Sequence, residues 1–587
     1  MPVDYWPHLG LLLLGCVAVY WHTLDVPMYL DDISSISDNA ALHDLSQWQR
    51  IWAFSELRFV GYMSLALNYA VHANSVVGYH LVNIAIHLGM GVALYGMLRT
   101  LARTPALVGS PLSARMPELA LAVALLFVVH PLNTQAVTYI VQRLASLVAL
   151  FYLLSLWFFV LGRLADGRAR RLYWIIAAGF GLLALFTKQN AVTLPAAILL
   201  LEYSFFAVNA AARRRLLRGI GWSLLALLIA LAALHFSGTL GLEVLDAASR
   251  ETLRISRIDY LAAQMLVLWR YVGLFFWPAP LLLDYGLLPQ WRFSDWQVVL
   301  AALAHIAAMG GALFILRRQA LTAVGILFFY LAHTVESGFI PIKDLMFEHR
   351  SYLPNVGLCL ALLLPLSLLR ERVLFAVCLA LVLVLGAVSW QRNELWRDQV
   401  AFFNHAIEHA PNQPRNWVYL SKVYHKNGDN QQALEFLNRE LTANEQRNGR
   451  LRLDTATYIY WSKLLRATGD TTRAEQIDAY VAGLQTSPQQ RQRILLNQGN
   501  SYLQAGDYAA AEAAYRQVLA VNPAHENANI NLGVVALLQE RYGEAIEIFE
   551  RYPQHPVSQS NLPSARAALE GKLEFEGLSE QVQEKAE

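Results

Sequence analysis

Residues 11–24 read LLLLGCVAVYWHTL, and residues 28–33, a short distance further on, read MYLDDI. The first stretch contains no Asp, Glu, Lys or Arg, which is typical of a helix embedded in a membrane. The second stretch places two adjacent carboxylates, Asp31 and Asp32, directly beyond that helix. Because ionised side chains are costly to hold near lipid, this pair indicates a candidate functional site at one face of the membrane.

The composition of the whole chain agrees with a membrane protein. Of its 587 residues, 56% are hydrophobic and 15% are charged, which is too apolar for a soluble globular protein. Long apolar runs fill residues 1–391, residues 392–575 are polar with a helical pattern, and residues 576–587 form a polar tail. We therefore predict an all-α fold, in which a polytopic membrane domain precedes a soluble helical domain. The net charge of +2 gives no support for a nucleic-acid partner.

About eleven segments are candidate membrane spans, each of which needs about 20 apolar residues. A further apolar segment, 259–277, contains Arg270 and lies between polar stretches, so we interpret it as re-entrant or interfacial. The candidate spans are residues 8–24, 78–98, 117–133, 143–162, 172–187, 190–208, 217–236, 297–316, 320–337, 352–369 and 373–391.

Arginines between these spans predict the orientation, because short loops rich in Lys and Arg stay in the cytoplasm. Every arginine cluster falls on the cytoplasmic side if the N-terminus is inside and 259–277 does not cross. The odd number of spans then places the Asp31 loop and the soluble domain outside the cytoplasm. The clusters lie within residues 99–115, 163–171, 213–218, 317–318 and 370–372.

The predicted outer loops carry side chains that suit group transfer. Asp31 or Asp32 could be a general base for a hydroxyl, since neighbouring carboxylates raise each other's pKa; holding a cation or capping a helix are the alternatives. Cationic side chains at the outer ends of spans could bind a phosphate, or they could contact lipid headgroups. The candidate phosphate-binding residues are Arg143, Lys188, His349 and Arg350.

Further polar residues are expected to line a cavity beside these groups. His80, Asn83 and His87 have the spacing of one helix face, so they could line the cavity or bond a neighbouring helix. Nothing among these candidate residues resembles a Cys/His zinc site, a nucleotide-binding loop or a nucleophile elbow, and we predict no metal-ligating residues. The expected cavity-lining residues are Arg58, His80, Asn83, His87, His130, Gln189, Glu348 and Tyr352.

The soluble domain repeats with a period of 34 residues, which is the tetratricopeptide pattern of paired helices. Gly499, Tyr502, Ala511 and Tyr515 recur as Gly533, Ala536, Ala545 and Phe549. Weaker copies lie around Trp417 and Tyr458, and residues 565–573 are expected to cap the array. Such arrays usually present a concave face to a protein or peptide; a stabilising lid or a dimer contact is the alternative.

The order of these motifs resembles that of the transmembrane-and-tetratricopeptide O-mannosyltransferases and their bacterial relatives, which are glycosyltransferases of the GT-C superfamily. The resemblance implies a multi-span enzyme that uses a polyprenyl-phosphate-linked sugar, with Asp31 or Asp32 as the catalytic base and the repeats on the active-site side. The short loops look closer to bacterial members, which implies the inner membrane with the repeats in the periplasm. The motifs are Asp31-Asp32, Tyr79-His80-Leu81-Val82-Asn83 with His87, His130-Pro131-Leu132-Asn133-Thr134, Lys188-Gln189-Asn190, and Phe347-Glu348-His349-Arg350 with Tyr352-Leu353-Pro354.

The chain departs from the family pattern at three positions. Gln135 and Gln189 stand where the family usually has an acidic residue, and Phe59 stands where a proline is common after Arg58. The two glutamines remove negative charge from the outer face, which argues against a divalent metal there and against mannose as the sugar. No cofactor is predicted.

Our leading hypothesis is a GT-C-type glycosyltransferase that moves a sugar from a polyprenyl-phosphate donor to a hydroxyl of a protein acceptor, with inversion. The repeat domain would recruit that protein, and the donor would enter from the surrounding membrane lipids. One alternative is transfer to a lipid or an envelope polysaccharide. The other is a transporter or a membrane-anchored scaffold, although the internal symmetry typical of a transporter is not visible in the sequence.

Overall fold

The structure is a computed structural model, and it describes residues 6–236, 252, 255–287, 290–411, 413–448, 455–483 and 488–571. In these residues all regular secondary structure is helical, with no β-strand, and the predicted all-α fold class is confirmed. The chain divides into two compact units, Met1–Ala410 and Pro411–Glu587. The predicted polar tail, 576–587, lies outside the described residues.

The first unit is built from α-helices joined by short 3₁₀ or π turns. The turns are Trp21–Thr23, Ile33–Ser37, Ala40–Leu42, Leu45–Gln47, Glu56–Arg58, Pro131–Asn133, Ile140–Gln142, Gln189–Thr193, Glu202–Phe206 and Glu348–Ser351. The α-helices are Trp6–Tyr20, Trp48–Phe54, Phe59–His72, Val76–Leu101, Pro111–Ala114, Met116–Val129, Thr134–Thr138, Arg143–Leu164, Gly167–Leu185, Leu194–Leu201, Ala210–Phe236, Arg257–Phe276, Trp296–Ile315, Ala320–His333, Pro354–Ala361, Leu363–Ser367, Glu371–Arg397 and Gln399–His409.

The core of this unit depends on close helix approach at small residues. A Cβ atom added to Gly325 would lie 2.5 Å from the carbonyl oxygen of Gly357, in the neighbouring helix Pro354–Ala361. Two helices can approach this closely only where side chains are absent, a packing mode that membrane helices favour. The pairing matters for the site because helix Ala320–His333 and helix Pro354–Ala361 flank the loop that carries Glu336 and Arg350.

Four helices in the described part of the chain are long and apolar enough to cross a membrane: Val76–Leu101, Ile140–Leu164, Trp296–Ile315 and Glu371–Arg397. A bent pair, Met116–Val129 with Pro131–Thr138, would make a fifth. These helices support a membrane protein, and the count of about eleven spans stays a prediction.

Two predicted spans are interrupted at prolines. Helix Met116–Val129 ends before His130, and the chain then bends by 54°, because the residue before Pro131 is held away from the helical region. The predicted span 352–369 divides into two short helices after Ala361, because Pro365 has no N–H to bond the carbonyl of Ala361.

The predicted span 190–208 is likewise not one helix. It consists of the 3₁₀ segment Gln189–Thr193, the eight-residue helix Leu194–Leu201 and the π segment Glu202–Phe206. Lys188 directly precedes the 3₁₀ segment, and Gln189 and Asn190 begin it, so these polar side chains lie on the N-terminal side of helix Leu194–Leu201.

The segment 259–277, interpreted as re-entrant or interfacial, is helical. The chain forms one continuous 20-residue helix, Arg257–Phe276, which contains no proline and no chain reversal. Its buried residues include Tyr260, Gln264 and Tyr271, which face the loop 336–347. An interfacial position remains compatible with this helix, and its relation to the membrane stays a prediction.

The boundary between the units lies later than predicted. Residue 391 falls inside helix Glu371–Arg397, and the structure divides the chain after Ala410. The reason is that Phe402 and Phe403, in the next helix, pack on Tyr29 of the first unit. Apolar composition alone does not show this packing, because the helix Gln399–His409 is amphipathic.

The second unit consists of helix pairs followed by a last helix. The described pairs are Pro414–Lys426 with Asn430–Asn448, Thr455–Ala467 with Thr471–Ala482, Pro488–Gln504 with Tyr508–Val521, and Glu526–Leu538 with Tyr542–Arg551, and the last helix is Pro556–Leu569. A Cβ on Gly499 would lie 2.5 Å from the Tyr515 ring, which is the close approach that the repeat pattern predicts.

Candidate functional site

The structure gives the two adjacent aspartates different environments. The turn before them is strained. Leu30 has a backbone φ of 40°, a left-handed conformation that residues other than Gly and Asn rarely adopt. Such strain is often found at functional sites, where the surrounding structure must hold it in place. After this turn the Asp32 side chain is buried and the Asp31 side chain is exposed.

Asp32 is committed to the protein interior. Its Oδ2 accepts the N–H of Tyr29 at 3.0 Å, and its Oδ1 accepts the N–H of Val141 at 2.7 Å. Burial raises the pKa of Asp32 to about 8, although the two backbone donors act in the opposite direction. Asp32 therefore ties the first loop to the start of helix Arg143–Leu164, with each carboxylate oxygen accepting a backbone N–H.

Asp31 has the more accessible carboxylate of the two, and which of them is the base stays a prediction. Its backbone N–H donates to the Tyr139 hydroxyl at 2.9 Å, which fixes the position of the residue while leaving the carboxylate at the surface. Among the described residues, no hydrogen bond or ion pair engages this carboxylate. An exposed carboxylate on a fixed backbone can accept a proton from a bound hydroxyl.

A cationic cluster forms around Lys188, Glu336, Arg350, Arg58 and His349. The Lys188 ammonium lies 2.6 Å from Glu336 Oε1, and both side chains are largely buried. Arg350 is buried, lies over the Phe347 ring at 5.3 Å and donates to the Asp344 carbonyl at 2.7 Å. Arg58 donates through Nε to Gln189 Oε1 at 3.2 Å. Lys188, Arg58 and Arg350 thus gather near Glu336, and the Asp344 carboxylate also acts on Arg350.

The pKa shifts of Lys188, Glu336 and His349 reflect burial together with the neighbouring charges. Burial lowers the pKa of Lys188, and Arg58 and Arg350 lower it further, against the opposing effect of Glu336. Burial raises the pKa of Glu336, but Lys188 and Arg350 outweigh burial and hold it below its usual value. Burial and the same three cations lower the pKa of His349 well below its usual value, so its imidazole is neutral. An anion placed here would relieve this repulsion.

One short helical turn connects the candidate base to the cationic cluster. Gln135 Oε1 accepts the N–H of His349 at 2.7 Å, and Tyr139 holds Asp31. The N–H of Tyr139 donates to the carbonyl of Gln135 at 3.3 Å, so these two residues are one helical turn apart. The Gln135–Tyr139 turn therefore brings Asp31 and His349 into one region, although they lie far apart in the sequence.

Arg143 does not belong to the cationic cluster. It is fully buried, and its guanidinium donates to Asn83 Oδ1 at 2.6 Å, the Ser64 carbonyl at 3.0 Å and the Tyr79 carbonyl at 3.0 Å. These bonds use three of the five N–H groups of the guanidinium and hold it in the helix packing. Its role in phosphate binding stays a prediction.

Most of the expected cavity-lining residues are buried and hydrogen-bonded to neighbouring segments. His80 Nε2 lies 2.9 Å from the Val26 carbonyl, and His87 Nδ1 lies 2.6 Å from the Tyr352 hydroxyl. His130 stacks on Phe275 and lies 2.9 Å from its carbonyl. His80 and His87 thus bond neighbouring segments, and their place beside a cavity stays a prediction.

Glu348 leads to a residue that the sequence did not single out, Arg392. Glu348 Oε1 accepts the Tyr285 hydroxyl at 2.8 Å, and its Oε2 lies 4.0 Å from Arg392 Nη2. Glu348 Oε2 and Arg392 Nη2 are both buried and have no hydrogen-bond partner among the described residues. His333, beside the cationic cluster, also has two buried nitrogens without such a partner. An arginine near the end of an apolar helix was the available signal for Arg392, and it resembled an ordinary snorkelling side chain.

The buried pair Lys188–Glu336 gives a stability prediction. We expect Glu336→Gln to destabilise the protein more than Lys188→Met, because Arg350 still faces Glu336 when the ammonium is gone. Removing one partner of a buried pair costs about 3–5 kcal/mol. Thermal unfolding in detergent, followed by intrinsic fluorescence, would measure both variants, with the double variant recovering part of the loss. Equal destabilisation by the two single variants would contradict the role assigned to Arg350.

Comparison with known proteins now adds to this geometry. A tetratricopeptide-repeat family model matches residues 496–558. Human protein O-mannosyl-transferase TMTC3 is 22% identical over 92% of this chain and 64% of its own length. Human protein O-mannosyl-transferase TMTC4 is 24% identical over 73% of this chain and 66% of its own length. Protein O-mannosyl-transferase Tmtc3 of Drosophila melanogaster is 27% identical over 34% of this chain and 24% of its own length. These matches span less than two thirds of the relatives' lengths.

Proposed function

We propose, from the premise that this chain is related over most of its length to the transmembrane-and-tetratricopeptide protein O-mannosyltransferases, that it is a membrane glycosyltransferase. In this proposal it moves a sugar from a polyprenyl-phosphate donor to a hydroxyl of a protein acceptor. The observation that carries the proposal is the Gln135–Tyr139 turn, which joins an exposed carboxylate to a cationic cluster.

The chemistry requires a base on one side of the sugar and an anion site on the other. The acceptor hydroxyl oxygen attacks the anomeric carbon, and the bond from that carbon to the phosphate oxygen breaks. The phosphate leaves with the electron pair, and Asp31 takes the hydroxyl proton. Attack opposite the leaving group inverts the configuration at the anomeric carbon.

The cationic cluster suits the leaving phosphate. A lipid phosphate gains negative charge as the bond to the sugar breaks, and fixed cations in a water-poor site stabilise that charge strongly. Arg350 is the best placed of these side chains, because guanidinium groups match phosphate oxygens and Phe347 supports the guanidinium from one face. Gln189 leaves the positive charge of Arg58 uncompensated, where a glutamate would neutralise it.

A transfer assay tests the proposal directly. Purified protein would be given a polyprenyl-phosphate-linked hexose and a panel of Ser/Thr peptides, and glycosylated peptide would be measured by mass spectrometry. Transfer to lipid or polysaccharide with no peptide product would favour the alternative acceptor. An absence of turnover with every donor would favour a scaffold.

We further propose that the protein lies in a bacterial inner membrane, with the Asp31 loop and the repeats in the periplasm. We expect an impermeant maleimide to label Glu547→Cys in intact cells, because Glu547 is 74% exposed in the repeats. Asp166→Cys, 95% exposed in a predicted cytoplasmic loop, is the matched control and should react only after permeabilisation. Both variants would carry Cys378→Ala, since Cys378 is the partly exposed natural cysteine. Labelling of Asp166→Cys in intact cells would overturn the topology.

A further inference from the structure

The last helix of the first unit carries three side chains that converge at its C-terminal end. His405, Glu408 and His409 lie in helix Gln399–His409, and their ligand atoms all lie within 4.8 Å of one another. Among the residues that the structure describes, this is the one group of three or more His, Cys, Asp or Glu side chains gathered so closely. None of the three belongs to the Asp31 region or to the cationic cluster.

The helix period produces this convergence. Residues three and four positions apart lie on one face of an α-helix, so His405 shares a face with both Glu408 and His409. The helix buries Phe402, Phe403 and Ala406, and His405, three residues after Phe402, is half-buried at the edge of that face. Glu408 and His409 are exposed, so an ion can reach them from solvent.

We propose that His405, Glu408 and His409 bind a divalent metal ion of the zinc class. Two imidazoles and one carboxylate are a common ligand set for Zn²⁺, with the fourth position open to water. Hard cations such as Mg²⁺ and Ca²⁺ prefer oxygen ligands, so two imidazoles select against them. Tetrahedral ligation at bond lengths of about 2.0–2.1 Å needs ligand atoms about 3.4 Å apart, so the half-buried His405 and the exposed Glu408 and His409 would have to rotate to close around an ion.

A supporting hydrogen bond is already present at one ligand. His409 Nδ1 lies 3.0 Å from the carbonyl oxygen of His405. Metal-binding histidines usually donate their second N–H in this way, which fixes the ring and leaves the other nitrogen for the ion. Here the bond directs Nε2 of His409 away from the helix backbone. The two imidazole rings lie 4.3 Å apart at an angle of 48°, so they are adjacent without being stacked face to face.

Binding would fix the last turn of this helix. The three ligands lie in its last two turns, where intrahelical carbonyl partners run out. The open fourth position would accept water or a carboxylate from another molecule. This site is independent of the proposed transferase chemistry, because it uses no residue assigned to that chemistry.

Zinc binding to tag-free, chelator-treated full-length protein tests the inference. Isothermal titration with Zn²⁺ alone should show one more bound equivalent in the natural protein than in His405→Ala/His409→Ala. Glu408→Gln should keep the stoichiometry and weaken the affinity by at least the roughly 10–100-fold that the loss of a supporting group costs. His72→Ala removes an exposed histidine elsewhere in the same unit and should change nothing.

A second measurement guards against misfolding of the double variant. His409→Ala alters an exposed side chain and should retain the unfolding temperature of the natural protein without metal. Zn²⁺ should raise the unfolding temperature of the natural protein and not that of His409→Ala, since a ligand stabilises only the state that binds it. Equal zinc stoichiometry in the natural protein and His409→Ala, with no difference in thermal shift, would overturn the proposal.

Discussion

Asp31→Asn is expected to abolish sugar transfer while leaving the fold intact. The carboxylate is exposed and makes no hydrogen bond among the described residues, so its conversion to an amide disturbs no packing. An amide cannot take the proton of an acceptor hydroxyl. Loss of a general base typically slows a reaction by roughly 10²–10⁴-fold. Steady-state transfer with a polyprenyl-phosphate-linked sugar would measure the loss.

Asp32→Asn is the matched control, because the two residues are neighbours with opposite environments. Its carboxylate accepts the N–H groups of Tyr29 and Val141, so the substitution should lower the unfolding temperature. Any loss of transfer should then follow the fraction of unfolded protein. If Asp31→Asn kept near-normal transfer and folded Asp32→Asn lost it, the assignment of the base would be reversed.

Arg350→Ala is expected to weaken binding of the lipid donor rather than of the acceptor. A hydrogen bond to a charged group contributes about 1.5–3 kcal/mol, which corresponds to roughly tenfold to 150-fold in affinity. Arg350→Lys keeps the positive charge but loses the planar guanidinium group. The affinity of this variant for the lipid donor should therefore lie between that of the natural protein and that of Arg350→Ala. Binding of a polyprenyl-phosphate-linked sugar to the purified variants would be compared with the KM of the peptide acceptor, which we expect to change little.

Deletion of residues 411–587 provides the contrasting variant. The structure divides the chain after Ala410, and the described repeats contain none of the residues assigned to the cationic cluster. Donor binding should therefore survive the deletion, while glycosylation of the protein acceptor falls. If the shortened protein lost donor binding as severely as Arg350→Ala, the repeats would be needed for the catalytic fold. Normal acceptor glycosylation would instead exclude acceptor recruitment by the repeats.

The site could be predicted from the sequence only in part. Lys188, His349 and Arg350 were selected as polar residues at the ends of apolar segments, and the structure brings them together. Arg143 was selected on the same signal, yet it lies among carbonyl groups in the helix packing. Arg143 and the other three residues occupy the same kind of position in the sequence. The local sequence pattern cannot show which distant segment each side chain contacts in the folded protein.

The sequence alone determined the helical class, the apolar character of the first unit and the repeats of the second. Each is a periodic or compositional property, and helix geometry converts such patterns into structure without information from distant residues. The tertiary structure decided which aspartate is exposed, which cations face Glu336, and that Arg392 lies beside Glu348. It also joined Asp31 to the cationic cluster through the Gln135–Tyr139 turn. These relations depend on contacts between segments far apart in the chain, and burial and electrostatics act only after such contacts form.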